Sequence, residues 1–171
     1  MRKWAVTDAL AAARLSALHL EMRDVYMTDD PDFADWKAGR PFDAVRNRWW
    51  HDLVAAAVGR GVAVRRARIV SEPVTEYIRF EYAITSGHNV AAGEQVRWLP
   101  RARASDLTLP GNDFWLFDDE LVIFNHFAGD GGWPASDKEE RRTEPAAVKL
   151  CASAFESVWE RAVPHEEYRP G

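Results

Sequence analysis

The sequence predicts an α/β fold, with a mixed sheet of about four to six strands and flanking helices, preceded by a helical N-terminal layer. Residues 61–127 read as a strand, a long apolar helix and three further strands. Residues 1–60 and the residues after 145 carry apolar side chains at helical spacing. Because 171 residues with 47% hydrophobic content can bury one sizeable core, we expect a single domain, with an α/β core over residues 61–163 and a tail over residues 164–171.

The N-terminal layer comprises three predicted helices. Apolar residues that recur at helical spacing from Leu10 to Met22 indicate the first helix. A short second helix includes residues 33–36, and the third begins near Asp43 and ends before Gly61, since glycine favours the left-handed exit from a helix. These helices have too little apolar surface to fold alone, so we expect them to pack on the residues that follow.

The α/β core begins with two strands that are predicted to be adjacent and parallel. Residues 64–70 and 95–99 are rich in β-branched and apolar residues, and the segment between them reads as a helix that opens near Pro73 and runs to about Thr85. Strands joined by a long crossover helix pair in parallel. The helix is apolar nearly all round, which predicts burial on more than one side.

The second half of the core is predicted to contain an antiparallel pair and a closing helix. Residues 114–117 and 121–127 are separated only by a tight connection, which is typical of antiparallel strands. Residues 129–142 are polar and rich in glycine and charge, and we expect an exposed loop there. A sustained apolar stripe after Pro145 predicts a long helix over one face of the sheet, and the tail from Pro164 is expected to be irregular.

Composition and charge argue against several classes of protein. The formal net charge of −5 and the isoelectric point near 5.6 disfavour broad binding to a nucleic-acid backbone. Cys151 is the only cysteine, which excludes an intramolecular disulfide and predicts a cytoplasmic protein. No apolar run reaches the ~18 residues of a membrane span, so no membrane association is expected. Eight Trp and eight Phe residues are many for this length, which makes a contact surface such as a homodimer interface a candidate.

Four segments carry a resemblance that covers almost the whole chain: SEPVTEYIRFEY, AGEQVRWLPR, LPGNDFWLFDD and FESVWERAVPHEEY. They resemble an uncharacterised actinobacterial family, a domain of unknown function that is often encoded near helix-turn-helix regulators of the XRE type. The resemblance implies such a regulator as a protein partner and indicates no activity.

A second resemblance covers residues 61–159. It rests on the order of the elements and on a strand that ends at Asp118-Asp119, before another strand and a closing helix with a Trp. This arrangement is similar to one repeat of the phospholipase D-like fold. In enzymes of that kind a His-x-Lys motif precedes the acidic residue, and the histidine attacks phosphorus while the lysine stabilises the equatorial oxygens.

The phospholipase D-like motif is missing from this sequence. Counting back from Asp118 puts Gly111 and Asp113 at the histidine and lysine positions, and counting back from Asp119 puts Asn112 and Phe114 there. No histidine of the chain has a lysine two residues later. The resemblance therefore implies a non-catalytic relative, of the kind that serves as an effector-binding or interaction module.

No other constellation predicts a catalytic residue, a metal ligand or a cofactor. His126 with Asp130, and His165 with its two following glutamates, lack a second convergent pair of ligands. Asp118, Asp119 and Glu120 read as an acidic turn, although such oxygens could bind a hard cation. The sequence contains neither a Gly-x-Ser-x-Gly elbow nor a complete phosphate-binding loop.

Charged residues on otherwise buried segments are the candidate binding site. The candidates are Arg79, Glu81, Trp98, Arg101 and Asp113. One interpretation is structural, since a guanidinium on an apolar helix needs partners, and Glu72, Glu76, Glu81 and Asp113 could pair with Arg79. The other interpretation is a crevice at the carboxyl ends of the strands, where guanidinium groups and an indole would suit an anionic or nucleotide-like small molecule. A protein-contact surface is the third.

The function that these observations favour is a non-catalytic regulatory or partner-binding protein that works with a helix-turn-helix regulator. The alternative is a metal-dependent phosphoesterase or nuclease, in which Asp113, Asp118 and Asp119 and a cation replace the lost histidine and lysine. Whether the protein is an enzyme stays open at this point, with the missing motif arguing against it.

Direct contact with nucleic acid is a third function to weigh. Arg65, Arg66 and Arg68 and the many aromatic residues would carry it. The acidic net charge argues against this function.

Overall fold

A mixed sheet of seven strands forms the centre of the computed structural model, which describes residues 5–171. The strands are β1 (Ser16–Glu21), β2 (Ala63–Val70), β3 (Gln95–Pro100), β4 (Asp113–Phe117), β5 (Leu121–Asn125), β6 (Glu139–Arg142) and β7 (Val163–Pro164). Their order across the sheet is β6-β5-β4-β1-β2-β3-β7. The helices are α1 (Ala5–Ala12), α2 (Pro31–Lys37), α3 (Arg48–Gly59), α4 (Glu76–His88) and α5 (Pro145–Arg161), with short 3-10 turns at Val90–Ala92 and Arg101–Arg103.

The strand directions confirm the predicted fold class. β1, β2 and β3 run parallel to one another, and α4 connects β2 to β3 as expected for a crossover helix. β4 and β5 form the predicted antiparallel hairpin, and β4 also lies antiparallel to β1. The result is a mixed α/β sheet with flanking helices.

The N-terminal layer was predicted to be helical, but it also contains a strand. Residues 16–21 form β1, a central strand between β2 and β4, and α1 ends before it at Ala12. The apolar residues Leu10, Leu18 and Met22 match a helical repeat by spacing alone. Leu18 and Leu20 alternate with polar residues, however, and a strand with paired neighbours on both sides satisfies its backbone groups and buries both faces.

The long closing helix covers one face of the sheet, as predicted. Phe155 and Val158 of α5 pack in one cluster with Leu20, Ile69 and Phe114 of the central strands. Because side chains alternate across a strand, the residues next to these three point to the opposite face. That opposite face is covered by α1, α3 and α4, and it is where polar side chains collect.

Helix α4 begins later than predicted. Its N-cap is Thr75, whose side-chain oxygen accepts a hydrogen bond from the N–H of Ile78. Pro73 therefore precedes the helix, and the last helical residue is His88. Tyr77 and Phe80 are buried on the side that faces the sheet.

The C-terminal tail is more ordered than predicted. Residues 163–164 form β7 against β3, and His165 and Tyr168 are buried. Both pack on Trp98, which donates its indole N–H to His165 Nδ1 at 3.1 Å. The loop over residues 129–142 likewise ends in a strand, β6, which pairs with β5. Among residues 5–171, none of the helices is apolar over a stretch long enough to cross a bilayer.

Candidate functional site

A cavity of about 580 Å³ lies on the sheet face opposite α5, over the carboxyl-terminal parts of β1 and β2. The strands contribute mainly polar side chains, namely His19, Glu21, Arg66, Arg68, Asp113, Trp115 and Asn125. Helix α4 forms one wall with Tyr77, Phe80 and Glu81. The cavity is thus at the carboxyl ends of parallel strands, where open α/β sheets usually bind ligands.

A buried ion-pair network forms the floor of the cavity. Glu21 accepts hydrogen bonds from Arg66 Nη1 at 2.6 Å and from Arg68 Nε at 2.5 Å. Arg66 Nε donates to Glu94 at 2.7 Å, and Arg68 Nη1 donates to the Thr85 hydroxyl at 3.0 Å. Burial alone would raise the pKa of Glu21, but Arg68 and Arg66 outweigh it and hold the pKa well below its ordinary value. Both guanidinium groups are therefore already hydrogen-bonded to carboxylates of the chain.

Asp113 occupies the first position of β4 and is buried at the edge of the cavity. Its Oδ1 accepts a hydrogen bond from the N–H of Met22 at 2.9 Å, and its Oδ2 accepts a short one from the Tyr26 hydroxyl. Burial raises the pKa of Asp113 to about 7, because the hydrogen bonds with Tyr26 and Met22 only partly offset it. In the register counted from Asp118, this residue stands where a phospholipase D-like enzyme has its lysine.

Glu81 is the least satisfied charged group of the site. It is 8% exposed, and within residues 5–171 neither of its carboxylate oxygens accepts a hydrogen bond. Its nearest cation is Arg68, with Nε 3.7 Å from Oε2. Burial raises the pKa of Glu81 to about 7, and repulsion from Glu21 adds to the effect of burial while attraction to Arg68 opposes it. A buried carboxylate without hydrogen bonds is costly, so a bound group that donates to it would be stabilising.

Two neutral side chains on the floor also have unused hydrogen-bonding capacity. His19 stacks on Trp115 with ring centroids 4.1 Å apart, and its Nδ1 has no hydrogen-bond partner in the described part of the chain. Burial, aided by Arg66, lowers the pKa of His19 well below 6.5, so the ring is neutral. Asn125 is 6% exposed and lines the same cavity.

The prediction that Arg79 is paired inside the fold is wrong. Arg79 is exposed, and across residues 5–171 its side chain forms no hydrogen bond or ion pair. Successive helical residues are rotated by ~100°, so Arg79 and Glu81 lie on nearly opposite sides of α4. Glu81 faces the sheet, and Arg79 faces solvent. The ion-pair network exists, but Arg66 and Arg68 form it.

The other predicted site residues divide between the cavity and the core. Glu81 and Asp113 line the cavity. Trp98 is fully buried beneath it, with the Arg68 guanidinium 4.8 Å from the centre of its ring. Arg101 lies at the carboxyl ends of the strands, outside the cavity, where its Nη2 donates to the Met22 carbonyl at 2.5 Å. The cavity lies at the carboxyl ends of the strands, but Arg79 and Arg101, which were expected to give a crevice there its anion-binding character, do not line it.

Four residues of the floor were not among the predicted site residues: His19, Glu21, Arg66 and Arg68. Their signal was the alternation of polar and apolar residues along residues 16–21 and 65–70. When a central strand carries a polar side chain at every second position, the face of the sheet that these side chains share is not part of an apolar core.

The three acids of the alternative enzyme do not converge. Asp113 and Asp118 lie at opposite ends of β4, about 16 Å apart for a five-residue strand. Asp118 accepts hydrogen bonds from the N–H groups of Arg14, Leu15 and Ser16; although burial raises its pKa, these bonds outweigh burial and hold the pKa below its ordinary value. Among residues 5–171, no group of three His, Cys, Asp or Glu side chains has the geometry of a metal site.

The arginines considered for nucleic-acid contact are engaged within the fold. Arg66 and Arg68 are buried in the network on the floor of the cavity. Arg65 lies on the other face, where its Nη2 pairs with Glu156 of α5 at 2.6 Å. None of the three presents a free guanidinium group on the surface.

Comparison with solved structures shows the same fold in phospholipase D-like proteins. Nuc from Salmonella typhimurium, a phospholipase D family member, matches with a TM-score of 0.52 and 13% identity over 96% of this chain and 88% of its own. NucT from Helicobacter pylori matches with a TM-score of 0.54 and 10% identity over 94% and 88%. TrmBL2, an archaeal chromatin protein, matches with a TM-score of 0.52 and 16% identity over 92% of this chain. The present chain covers 49% of TrmBL2, about half of that protein's length.

Comparison at the sequence level identifies a family without an assigned activity. No curated protein matches the chain significantly. The model of the domain of unknown function DUF6879 matches residues 5–170. The match confirms the expected membership in a family of unknown function, and the chain belongs to the DUF6879 family.

Proposed function

We propose that this protein is a non-catalytic, ligand-binding regulatory protein that acts with a helix-turn-helix transcriptional regulator in the cytoplasm. One observation carries the proposal: counted back from Asp118, the lysine position of the phospholipase D-like motif is Asp113, which lines the cavity, and the histidine position is Gly111. Counted back from Asp119, the two positions are Phe114 and Asn112. A glycine cannot act as a nucleophile, and a carboxylate would repel a phosphate group instead of stabilising it. What remains is a cavity that can bind a ligand.

The shape of the cavity supports binding of a small molecule. A volume of about 580 Å³ is in the range of ordinary ligand pockets, and the walls combine aromatic rings with a few polar groups. The charged residues of the floor are held by one another, which gives the site a preorganised arrangement without a bound molecule.

Two arguments support the regulator as a partner. The resemblance to an actinobacterial family that is often encoded near XRE-type regulators implies such a partner. TrmBL2 is an archaeal chromatin protein with a novel mode of DNA binding, and the present chain covers about half of it. By analogy, a fold of this kind can be combined with a DNA-binding protein, here as a separate chain.

Co-expression with an XRE-type regulator from the same genome tests the partnership. We expect the two proteins to elute together in size-exclusion chromatography. The shared peak should come earlier than the peak of either protein alone. Independent elution of two folded proteins at micromolar concentrations would contradict this part of the proposal.

The second candidate function is a metal-dependent phosphoesterase or nuclease. The likeness to Nuc favours it. Such an enzyme would have to rely on Asp113 and Glu81, since Asp118 is remote from the cavity. Hydrolysis of a phosphodiester by the purified protein separates the two functions, and the proposed function predicts none.

A further inference from the structure

The cavity combines excess negative charge with aromatic walls. Among residues 5–171, the charged side chains that line it are five carboxylates and two arginines: Glu21, Asp30, Asp32, Glu81, Asp113, Arg66 and Arg68. The arginines do not compensate this excess for a ligand, because Glu21 and Glu94 already hold them at 2.5–2.7 Å. Asp32 is likewise paired, with Arg46 at 2.5 Å, so the excess negative charge comes from Asp30, Glu81 and Asp113. An anionic ligand would have to compete with these carboxylates at close range.

Glu81 provides a specific position for a cation. Its side chain is 11% exposed, its Oε2 is buried, and neither carboxylate oxygen accepts a hydrogen bond from residues 5–171. Arg68 lies 3.7 Å from one of its oxygens, too far for a hydrogen bond. A charged donor from a ligand would supply the missing bonds, and charge-assisted hydrogen bonds are the stronger kind.

Two further side chains that line the cavity can accept hydrogen bonds. His19 is neutral and lines the cavity, and so does Asn125, whose amide forms no hydrogen bond within the described residues. Acceptors of this kind suit a cation that carries N–H groups and give no advantage to a quaternary ammonium ion.

The rest of the cavity is suited to a flat apolar body. Tyr77 and Phe80 of α4 stand edge to face with centroids 5.7 Å apart, and Phe127 stacks on Trp133 at 4.7 Å. Trp115 also lines the cavity. Ring faces of this kind attract both aromatic groups and cations.

We propose that the cavity binds a primary amine that carries a flat apolar body, with its ammonium group at Glu81 and its flat body against the aromatic walls. This inference rests on the proposed function and gives it a ligand class. It replaces the anionic ligand that the sequence indicated, because the arginines on which that prediction depended are paired or outside the cavity.

Calorimetry with two matched probes tests the ligand class. Tryptamine and indole-3-propionate share an indole ring and the same spacer but end in an ammonium and a carboxylate group. The titration is performed at about pH 8, where Glu81 with a pKa of about 7 carries its charge. We expect tryptamine to bind at least about tenfold more tightly than indole-3-propionate.

Variants assign the binding to the cavity. Glu81→Gln should weaken tryptamine binding at least about tenfold, and Asn125→Leu should weaken it by a smaller factor. Glu76→Gln is the matched control, since Glu76 lies on the exposed side of the same helix, and it should leave binding unchanged. Circular dichroism of each variant verifies that it is folded.

Three outcomes would overturn the inference: no binding of tryptamine, equal or tighter binding of indole-3-propionate, or tryptamine binding that Glu81→Gln leaves unchanged. Tight binding of indole-3-propionate would leave the proposed ligand-binding function intact and reverse only the ligand class. Phosphodiester hydrolysis would instead contradict the proposed function, so the two failures are distinguishable.

Discussion

Glu81 shows how one residue couples the cavity to the stability of the fold. Its carboxylate faces four charged side chains, namely Arg68 and Arg66 from β2, Glu21 from β1 and Asp113 from β4. Burial raises its pKa by more than the two arginines lower it. The pKa of about 7 in the folded protein lies above the ordinary value of 4.5. A group whose pKa is raised by folding contributes stability below its unfolded pKa and loses it as the pH rises through the folded pKa.

Thermal unfolding of Glu81→Gln tests this effect of charge. We expect the variant to match the parent near pH 5 and to exceed its stability near pH 8 by on the order of 2 kcal/mol, because the amide carries no charge to bury. Glu76→Gln serves as the control and should not change the pH dependence. A parent and a Glu81→Gln variant with the same pH dependence would show that Glu81 is not a buried charge.

At the scale of elements, ion pairs join β1 and β2 to the segment after α4. Arg66 of β2 bonds Glu21 of β1 and Glu94, which precedes β3 and is 2% exposed. Replacing a buried ion pair as a whole can be neutral, whereas removing one partner leaves an uncompensated charge.

Arg66→Met should therefore destabilise the protein by about 3–5 kcal/mol. Arg79→Met is the matched control on α4, and it should change the free energy of unfolding by less than about 0.5 kcal/mol, because Arg79 is exposed. Urea denaturation of the two variants measures both values. A larger loss in the free energy of unfolding for Arg79→Met than for Arg66→Met would contradict the assignment of the ion-pair network to Arg66.

The elements that sequence reasoning predicted correctly are those with local signals. The β2–α4–β3 unit follows from a β-branched run and an alternating apolar run on either side of a long helix, and the β4–β5 hairpin follows from its short connection. β1 was missed because the apolar residues among its six positions fit both the two-residue period of a strand and the spacing of a helix. Only pairing with β2 and β4 decides in favour of the strand. Of the predicted site residues, Glu81 and Asp113 line the cavity and Arg79 faces solvent, because a helix that looks apolar all round does not reveal which polar residue faces the sheet.

At the scale of the whole molecule, a fold similar to phospholipase D-like structures carries a cavity lined by carboxylates, arginines and aromatic rings. The tight ion pairs on the floor and the unbonded carboxylate of Glu81 belong to the same surface. The proposed binding function and the inferred amine ligand both rest on this surface.

Hydrolysis of bis(p-nitrophenyl) phosphate is the measurement that tests this account most directly. The purified protein is assayed with Mg²⁺, Mn²⁺ and Zn²⁺ in turn, beside Asp113→Asn, which removes the carboxylate at the lysine position. We predict that the protein and the variant release no more p-nitrophenol than buffer with the same metal. Metal-dependent turnover that Asp113→Asn abolishes would contradict the account and establish the cavity as a catalytic site.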